Sequence, residues 1–197
     1  GWRIERWWLQ RRRRQFRRRR RIGKLVAGTA MAVNIKRLSK HLLGNRARVR
    51  KAFSPQGLKR IEDAIKASEA RHVGQIRFAV EGALDGRPLL AGQSARGRAI
   101  DLFAHLRIWD TEHNSGVLIY LLLADRDVEI VADRGIDAKV GAARWREMCA
   151  AMETEFGKGR FEQGVLMGIE RITAELAAYF PAHGAHRNEL PDPPVVL

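Results

Sequence analysis

Two short segments of this chain carry the side chains best suited to binding a metal ion. The first segment contains Asp110, Glu112 and Asn114, and the second contains Asp133 and Asp137. Carboxylate and amide oxygens hold Ca²⁺ or Mg²⁺ when several of them converge on one point. Asp and Asn are also ordinary turn residues, and this is the interpretation that we favour. The five residues are therefore metal-ligand candidates, with turn formation as the competing explanation.

Phosphate binding and proton transfer have separate candidates in the same region. Arg126 and Arg134 could each hold a phosphate through two hydrogen bonds, although such arginines more often pair with nearby carboxylates. His113 could serve as an acid or a base, and a solvated loop histidine is the simpler explanation. The catalytic candidates are Asp133, Arg134, Asp137 and His113. The sequence contains no nucleophile-elbow, zinc-protease, phosphate-loop or dinucleotide-binding motif.

The single cysteine, Cys149, limits the redox and metal chemistry of the chain. One thiol cannot form a disulfide within the chain or a zinc site of several thiolates. We expect it to be buried and inert, because it lies in a helical pattern without His or Cys at ligand spacing. No cofactor is expected, and Ca²⁺ or Mg²⁺ at the carboxylates described above is the alternative.

A predicted β-hairpin positions the second acidic segment. Residues 116–124 are a nearly unbroken apolar run, which is typical of a buried strand. Residues 127–133 alternate apolar and polar side chains, so they form the predicted antiparallel partner. Because this second strand returns to the start of the first, it should carry Asp133 and Asp137 back toward the loop at 110–114.

A third strand and several helices complete the predicted fold. Residues 75–81 alternate like a strand, and a helix that begins after Ser94 and ends near Ile108 separates them from 116–124. Such a strand–helix–strand unit predicts that the two strands are parallel. Further helices are predicted after the Ser54 cap, from Ala142 to Phe156, and from Arg160 to about Tyr179. The expected architecture is α/β, with a small mixed β-sheet sandwiched by helices in the order βαββαα.

The positive charge of the chain is concentrated at its N-terminal end. The net charge is +15, with +11 in residues 1–30 and +7 in residues 31–53, so residues 54–197 carry −3. Residues 1–21 combine arginine with tryptophan, a composition suited to an anionic membrane surface or a nucleic-acid backbone. Residues 1–30 are predicted to be a disordered basic arm or an upstream extension without a selected role. Residues 35–44 predict a short basic amphipathic helix.

These observations divide the chain into four predicted segments. They are a basic arm at 1–30, a basic helix and linker at 31–53, a domain at 54–181, and a mobile tail at 182–197 that contains several prolines. No run of 18 apolar residues occurs, so no transmembrane helix is predicted.

Three stretches of the domain resemble the TPM domain family. They are NSGVLIYLLLADRDVEIVADRGID at 114–137, WREMCAAMETEFGKGRFEQGVLMGIERI at 145–172, and the closing YFP at 179–181. Their order and spacing resemble a short bacterial branch of that family, which is also related to bacterial envelope proteins and to a thylakoid lumen protein of photosystem II repair. The resemblance spans about residues 54–181 and implies an α/β sandwich with helices on both faces of a small mixed sheet.

The resemblance implies two kinds of function. Some TPM proteins are weak acid phosphatases or bind a divalent cation in an acidic cleft, whereas others are binding modules for membrane-complex assembly or repair. Many members carry an acidic residue shortly after the turn that corresponds to 135–137. This chain has only glycine and alanine at 141–143, which argues against a site of that kind. We therefore predict no metal site tighter than about millimolar, the range of weak calcium modules.

The expected function is a non-enzymatic binding or assembly module at an anionic membrane surface. The alternative is a weak acid phosphatase assisted by a divalent cation. The expected partner is a protein or an anionic membrane surface, and nucleic acid would bind only through residues 1–21. The expected location is cytoplasmic and peripheral at the membrane, with the envelope or periplasm as the alternative.

Overall fold

A computed structural model describes Arg37, His41 and residues 45–182 and 188–197. All of them belong to one compact unit, Lys36–Leu197, and the other unit of the chain, Gly1–Ile35, lies outside the described residues. The predicted arm at 1–30 and most of the predicted amphipathic helix at 35–44 therefore lie outside the described part as well.

The described residues form seven helices and four strands. Their order is α1 (Asn45–Ala52), α2 (Pro55–Glu69), β1 (Gln75–Glu81), α3 (Gly86–Leu90), α4 (Ala95–His105), β2 (Gly116–Leu122), β3 (Asp127–Ala132), α5 (Arg134–Val140), α6 (Ala142–Gly157), α7 (Phe161–Tyr179) and β4 (Val195–Val196). No helix in this part of the chain is long and apolar enough to cross a membrane.

The four strands form one mixed sheet in the order β3-β2-β1-β4. Strands β1 and β2 are parallel, with Gln75 opposite Gly116, and α4 lies between them in sequence. Strand β3 is antiparallel to β2, with Val117 opposite Ala132. The predicted α/β architecture, the parallel pair and the hairpin are therefore confirmed.

The sheet separates two hydrophobic cores because successive side chains of a strand point to opposite faces. One face of β1 and β2 packs against α1, α2, α6 and α7, and its strand residues are Ile76, Phe78, Val80, Val117, Ile119 and Leu121. The other face packs mainly against α4, through Ala79, Leu118, Tyr120 and Leu122. All seven residues of each of these two strands are buried, as expected for a parallel pair covered on both sides.

Two serines cap the first turns of α2 and α4. The Ser54 hydroxyl accepts a hydrogen bond from the Gly57 amide at 3.0 Å, and Pro55 occupies the first helical position. The Ser94 hydroxyl accepts one from the Gly97 amide at 3.1 Å. Both caps agree with the sequence prediction.

Four short elements were not predicted. Helix α1 lies in the segment 31–53, where the sequence predicted a helix only at 35–44. Helix α3 lies in the connection between β1 and α4, and α5 begins directly after β3, where the sequence indicated only a turn. Strand β4 lies in the tail and pairs parallel with β1, with Val195 opposite Ala79. Each of these elements is too short to produce a recognisable hydrophobic period.

A buried polar network ties α4 to the sheet. Glu81 is 3% exposed at the end of β1, and its carboxylate accepts hydrogen bonds from Arg98 at 2.9 and 3.1 Å. The Tyr120 hydroxyl donates to the same carboxylate at 2.7 Å. Burial, together with the negative charge of Glu81, raises the pKa of Tyr120 far above its ordinary range, so the phenol stays protonated and donates.

Removing Arg98 should therefore destabilise the fold strongly. Arg98→Met leaves the Glu81 carboxylate buried without its cation, which typically costs about 3–5 kcal/mol in the free energy of unfolding. Tyr120→Phe removes one hydrogen bond to a charged group and should cost about 1.5–3 kcal/mol. Urea denaturation measures both losses, with Arg107→Met as the control because that side chain is 71% exposed. An Arg98→Met loss no larger than that of the control would contradict this role.

The C-terminal tail is fastened along the outer edge of β1. The Gln75 side-chain oxygen accepts hydrogen bonds from the Glu189 and Leu190 amides at 3.2 and 3.1 Å, and the Leu197 amide donates to the Val80 carbonyl at 3.0 Å. Near this tail, burial and then the neighbouring Asp192 carboxylate raise the pKa of Glu69 from 4.5 to about 7. The two acids are most compatible when Glu69 is protonated.

The free energy of unfolding should therefore fall as the pH rises from 4.5, the ordinary pKa of Glu69, to about 7, its pKa in the folded protein. The folded state retains a proton on Glu69 up to about pH 7, whereas the unfolded state loses it near pH 4.5, so each step up in pH favours unfolding. Glu69→Gln should remove this contribution, and Asp85→Asn, an exposed acid, is the control. Melting temperatures between pH 4 and 8 test it. A profile of Glu69→Gln parallel to that of the wild type would refute the assignment.

Candidate functional site

The predicted approach of the loop at 110–114 to the turn after β3 is present. The Asn114 carbonyl accepts hydrogen bonds from the Gly135 amide at 3.0 Å and the Ile136 amide at 3.3 Å. The Arg134 Nε donates to the Asn114 side-chain oxygen at 2.9 Å. A Cβ at position 135 would lie 2.6 Å from the Asn114 carbonyl oxygen, so only glycine permits this approach.

Asp133 has a structural partner at this junction. One carboxylate oxygen accepts a hydrogen bond from the Arg134 amide at 2.7 Å and so caps α5, while the other is buried without a partner among the described residues. Burial raises the pKa of the Asp133 carboxyl, and the hydrogen bond from Arg134 opposes that change. Asp133, Arg134 and Asn114 are thus brought together, and the sequence predicted their proximity.

The other predicted ligands point to different partners. The Asp137 carboxylate accepts a hydrogen bond from the Trp145 indole at 3.1 Å, and Asp110 forms an exposed ion pair with Arg107 at 3.0 Å. Glu112 is exposed, and its amide donates to a Glu189 carboxylate oxygen at 3.0 Å. Across the described residues, no group of three His, Cys, Asp or Glu side chains could hold a metal ion. Metal binding and catalysis by these residues stay predictions for experiment.

The remaining candidates are also separated. The exposed His113 ring stacks on Phe180, with ring centroids 6.5 Å apart. Arg126 precedes β3 and Arg134 follows it, so the six residues of that strand hold them at opposite ends and they cannot share one phosphate. Burial raises the pKa of the Cys149 thiol to about 11, which keeps it protonated and unreactive near neutral pH.

The opposite edge of the sheet, where β1 and β2 end, contains a cluster that the sequence did not predict. Arg37 donates to an Asp125 carboxylate oxygen from Nε at 3.0 Å and from Nη2 at 2.8 Å. His41 contacts the other oxygen through Nε2 at 3.0 Å, and its Nδ1 accepts a hydrogen bond from the Leu84 amide at 2.8 Å. Since Nδ1 is an acceptor, the proton of the neutral ring lies on Nε2 and is donated to Asp125.

This cluster fastens Arg37 and His41 to the β2–β3 turn. Although burial opposes the effect, the hydrogen bonds from Arg37 and His41 hold the pKa of Asp125 below its ordinary value. Asp125 therefore remains ionised and paired. The sequence offered no signal for the contact, because its partners lie 88 and 84 positions away from Asp125.

An open cleft of about 410 Å³ lies beside this turn. Among the described residues, it is lined by Arg48 from α1 and by Leu123, Ala124 and Arg126 from the β2–β3 turn. Ligands of open α/β sheets characteristically bind at the carboxyl ends of parallel strands, which is the edge that this cleft occupies. The cleft is cationic and apolar, unlike the acidic region predicted at the other edge.

Comparisons with known proteins agree with this architecture. A family model of the TPM domain matches residues 49–175. The NMR structure of the BA42 protein from the psychrophilic bacterium Bizionia argentinensis is similar, with 30% identity and a TM-score of 0.66 over 76% of this chain and 98% of that chain.

A second solved structure supports the fold alone. The N-terminal domain of a protein from P. gingivalis has a TM-score of 0.56 and 14% identity over 68% of this chain and 83% of that chain. The comparison with curated proteins gave no significant match. The family model and the BA42 structure cover most of the domain, and together they show that this chain belongs to the TPM domain family.

Proposed function

We propose that this TPM-domain protein is a non-enzymatic binding module that attaches to an anionic membrane surface through its basic N-terminal segment, residues 1–53. The observation that carries the proposal is the exposed face of α1. Arg46, Arg50 and Lys51 are all exposed on it, and none forms an ion pair with a described residue. Residues 54–197 carry a small net negative charge, so the excess of positive charge lies in the N-terminal part of the sequence.

The packing of α1 keeps this basic face turned outward. Val49 and Phe53 are each 3% exposed and belong to the larger core. The Phe53 ring lies 5.7 Å from the Phe78 ring and 6.1 Å from the Phe161 ring, measured between centroids. Because these contacts hold one side of the helix against the domain, the arginines and the lysine are presented to solvent.

A basic face of this kind binds anionic lipid through local electrostatics. Each Lys or Arg near such a surface contributes about 1 kcal/mol, and this contribution decreases as salt screens it. Residues 1–35 would add further charge to the same segment, although their structure is not described. The proposal places the protein at the cytoplasmic face of a membrane, with the envelope or periplasm as the alternative, and a membrane-associated protein as a further partner.

Neutralising the exposed face of α1 should weaken vesicle binding in the full chain. The triple variant Arg46→Gln, Arg50→Gln, Lys51→Gln should lose up to about a hundredfold in affinity for vesicles that contain phosphatidylglycerol. Co-sedimentation measures the affinity. The full chain is required, since a fragment starting at residue 54 would lack the buried Val49 and Phe53.

A matched control removes the same charge elsewhere. Arg87, Lys139 and Arg146 are exposed and form no ion pair among the described residues, so their triple glutamine variant changes the net charge equally. The proposal predicts that this control retains most of the affinity. Equal losses in the two triple variants, or no binding of the wild type beyond that to neutral vesicles, would refute it.

The phosphatase alternative is favoured by one observation, the unpartnered carboxylate oxygen of Asp133 beside Arg134. A buried acceptor without a partner suits a bound water or cation. A Ca²⁺ or Mg²⁺ ion there would polarise a phosphoryl oxygen, and Arg134 would neutralise developing charge. The other predicted ligands, however, hold different partners.

Hydrolysis of an aryl phosphate distinguishes the two functions. Our proposal predicts that any hydrolysis of the aryl phosphate, with or without Mg²⁺ or Ca²⁺, is the same in the wild type and in a variant of Asp133. Asp133→Asn is the appropriate variant because asparagine keeps a capping oxygen for α5 while removing the charge. Asp110→Asn is the control, since Asp110 is exposed and pairs only with Arg107 among the described residues. Activity that persists in the control and disappears in Asp133→Asn would establish the phosphatase instead.

A further inference from the structure

We infer that the cleft lined by Arg48, Leu123, Ala124 and Arg126 binds a phosphomonoester group. The inference rests on the proposed function and deepens it. The proposed attachment to an anionic membrane depends on charge alone, whereas this cleft would recognise a specific anionic group. The cleft lies at the carboxyl edge of the parallel strands, away from the acidic segments at 110–114 and 133–137.

Both cationic side chains of the cleft are available to an anion. Neither Arg48 nor Arg126 forms an ion pair with a described residue. Arg48 makes one long hydrogen bond, from Nη1 to the Gly82 carbonyl at 3.5 Å, which leaves most of its five N–H donors for a ligand. Guanidinium groups match phosphate oxygens through paired hydrogen bonds. Two such groups facing one cleft therefore favour a doubly charged phosphate over a carboxylate.

The acidic residues on either side of Arg126 in the sequence have other surroundings. Asp125 precedes Arg126 in the turn, but its carboxylate is held by Arg37 and His41. Asp127 follows Arg126 and is half-buried, and burial and then the negative charge of Asp125 raise the pKa of its carboxyl. Neither aspartate forms an ion pair with Arg48 or Arg126.

The backbone at Arg126 points to a ligand role as well. Its φ is +55°, a left-handed conformation that glycine or asparagine normally adopts in turns. Such conformations persist only where the surrounding structure holds them, and they cluster at active sites and ligand clamps. Arg126 is exposed and forms no ion pair with a described residue, so contacts within the fold do not explain why an arginine occupies this left-handed position. A contact between its guanidinium group and a ligand would explain it.

The size and lining of the cleft set the ligand class. A volume of about 410 Å³ lies at the small end of the range for ligand sites. Leu123 and Ala124 add an apolar surface beside the two guanidinium groups, which suits a short carbon skeleton attached to the phosphate. Such a ligand is the headgroup of phosphatidic acid in a membrane or a small phosphomonoester in solution, since the two share this chemistry.

The test with a soluble probe uses glycerol 3-phosphate and the full chain. Arg126→Gly removes the guanidinium and also relieves the left-handed strain, so it should weaken binding about tenfold or more without lowering the melting temperature. Arg107→Gly is the matched control, because Arg107 also has a φ of +55° and lies outside the cleft. Arg48→Gln should weaken binding to a similar extent. Titration followed by NMR or calorimetry measures all four affinities.

A second arm identifies the source of the phosphate. Vesicles with phosphatidic acid and vesicles with phosphatidylglycerol are matched in surface charge. A preference for phosphatidic acid that Arg126→Gly and Arg48→Gln abolish would support the site and assign the lipid headgroup. Glycerol 3-phosphate binding that depends on both arginines, without a lipid preference, would support the site and assign a soluble ligand.

The outcomes separate this inference from the proposed function. Unchanged affinities in Arg48→Gln and Arg126→Gly for both probes would overturn the cleft, even where the α1 variant still loses vesicle binding. Absence of wild-type binding to both probes would overturn it as well. Arginine-dependent binding of glycerol 3-phosphate by a protein that ignores all anionic vesicles would uphold the cleft and refute membrane attachment.

Discussion

The complete burial of two parallel strands constrains the rest of this structure. Strands β1 and β2 have no exposed residue, so both faces of the sheet require helices. The same burial encloses Glu81, which is tolerable only because Arg98 and Tyr120 satisfy its carboxylate. The sheet therefore fixes the position of α4 on one face, while α1, α2, α6 and α7 cover the other.

The two edges of the sheet consequently differ in character. At the edge where β3 ends, the polar side chains form structural hydrogen bonds. Asp133 caps α5. The Asn114 side chain accepts a hydrogen bond from Arg134, and the Asp137 carboxylate accepts one from Trp145. At the opposite edge, Asp125 is held by Arg37 and His41, and Arg48 and Arg126 retain donors toward an open cleft. The arginines that line the cleft and the acidic residues committed to structure thus lie at opposite ends of the parallel strands.

The sequence predicted the elements that bury long apolar stretches. The strands at β1, β2 and β3 and the helices α2, α4, α6 and α7 each contain a repeat of apolar residues long enough to recognise. Helix α5 was not predicted because it buries only one side chain, Ile136. Strand β4 was not predicted because it has two residues. Local pattern therefore accounts for the long elements of the core. It does not account for α1, which brings Val49 and Phe53 into the larger core, or for the short connecting elements.

The candidate site was predictable only in part, for a different reason. The hairpin register brings the 133–137 turn to the 110–114 loop, and that proximity follows from the return of β3 along β2. Which partner each side chain selects depends on neighbours from other elements, as Trp145 does for Asp137. The cleft combines Arg48 and Arg126 from distant parts of the chain, and no spacing rule links residues so far apart in sequence.

Hydrogen–deuterium exchange of the full chain with and without anionic vesicles tests the central claim most directly. Our account predicts that lipid slows exchange in the basic helix at 45–52 and in the turn at 123–126, because these surfaces face the membrane. It predicts no change at 110–114 and 133–137. Protection confined to those two acidic segments, with 45–52 unaffected, would contradict the claim that this domain binds through its basic face.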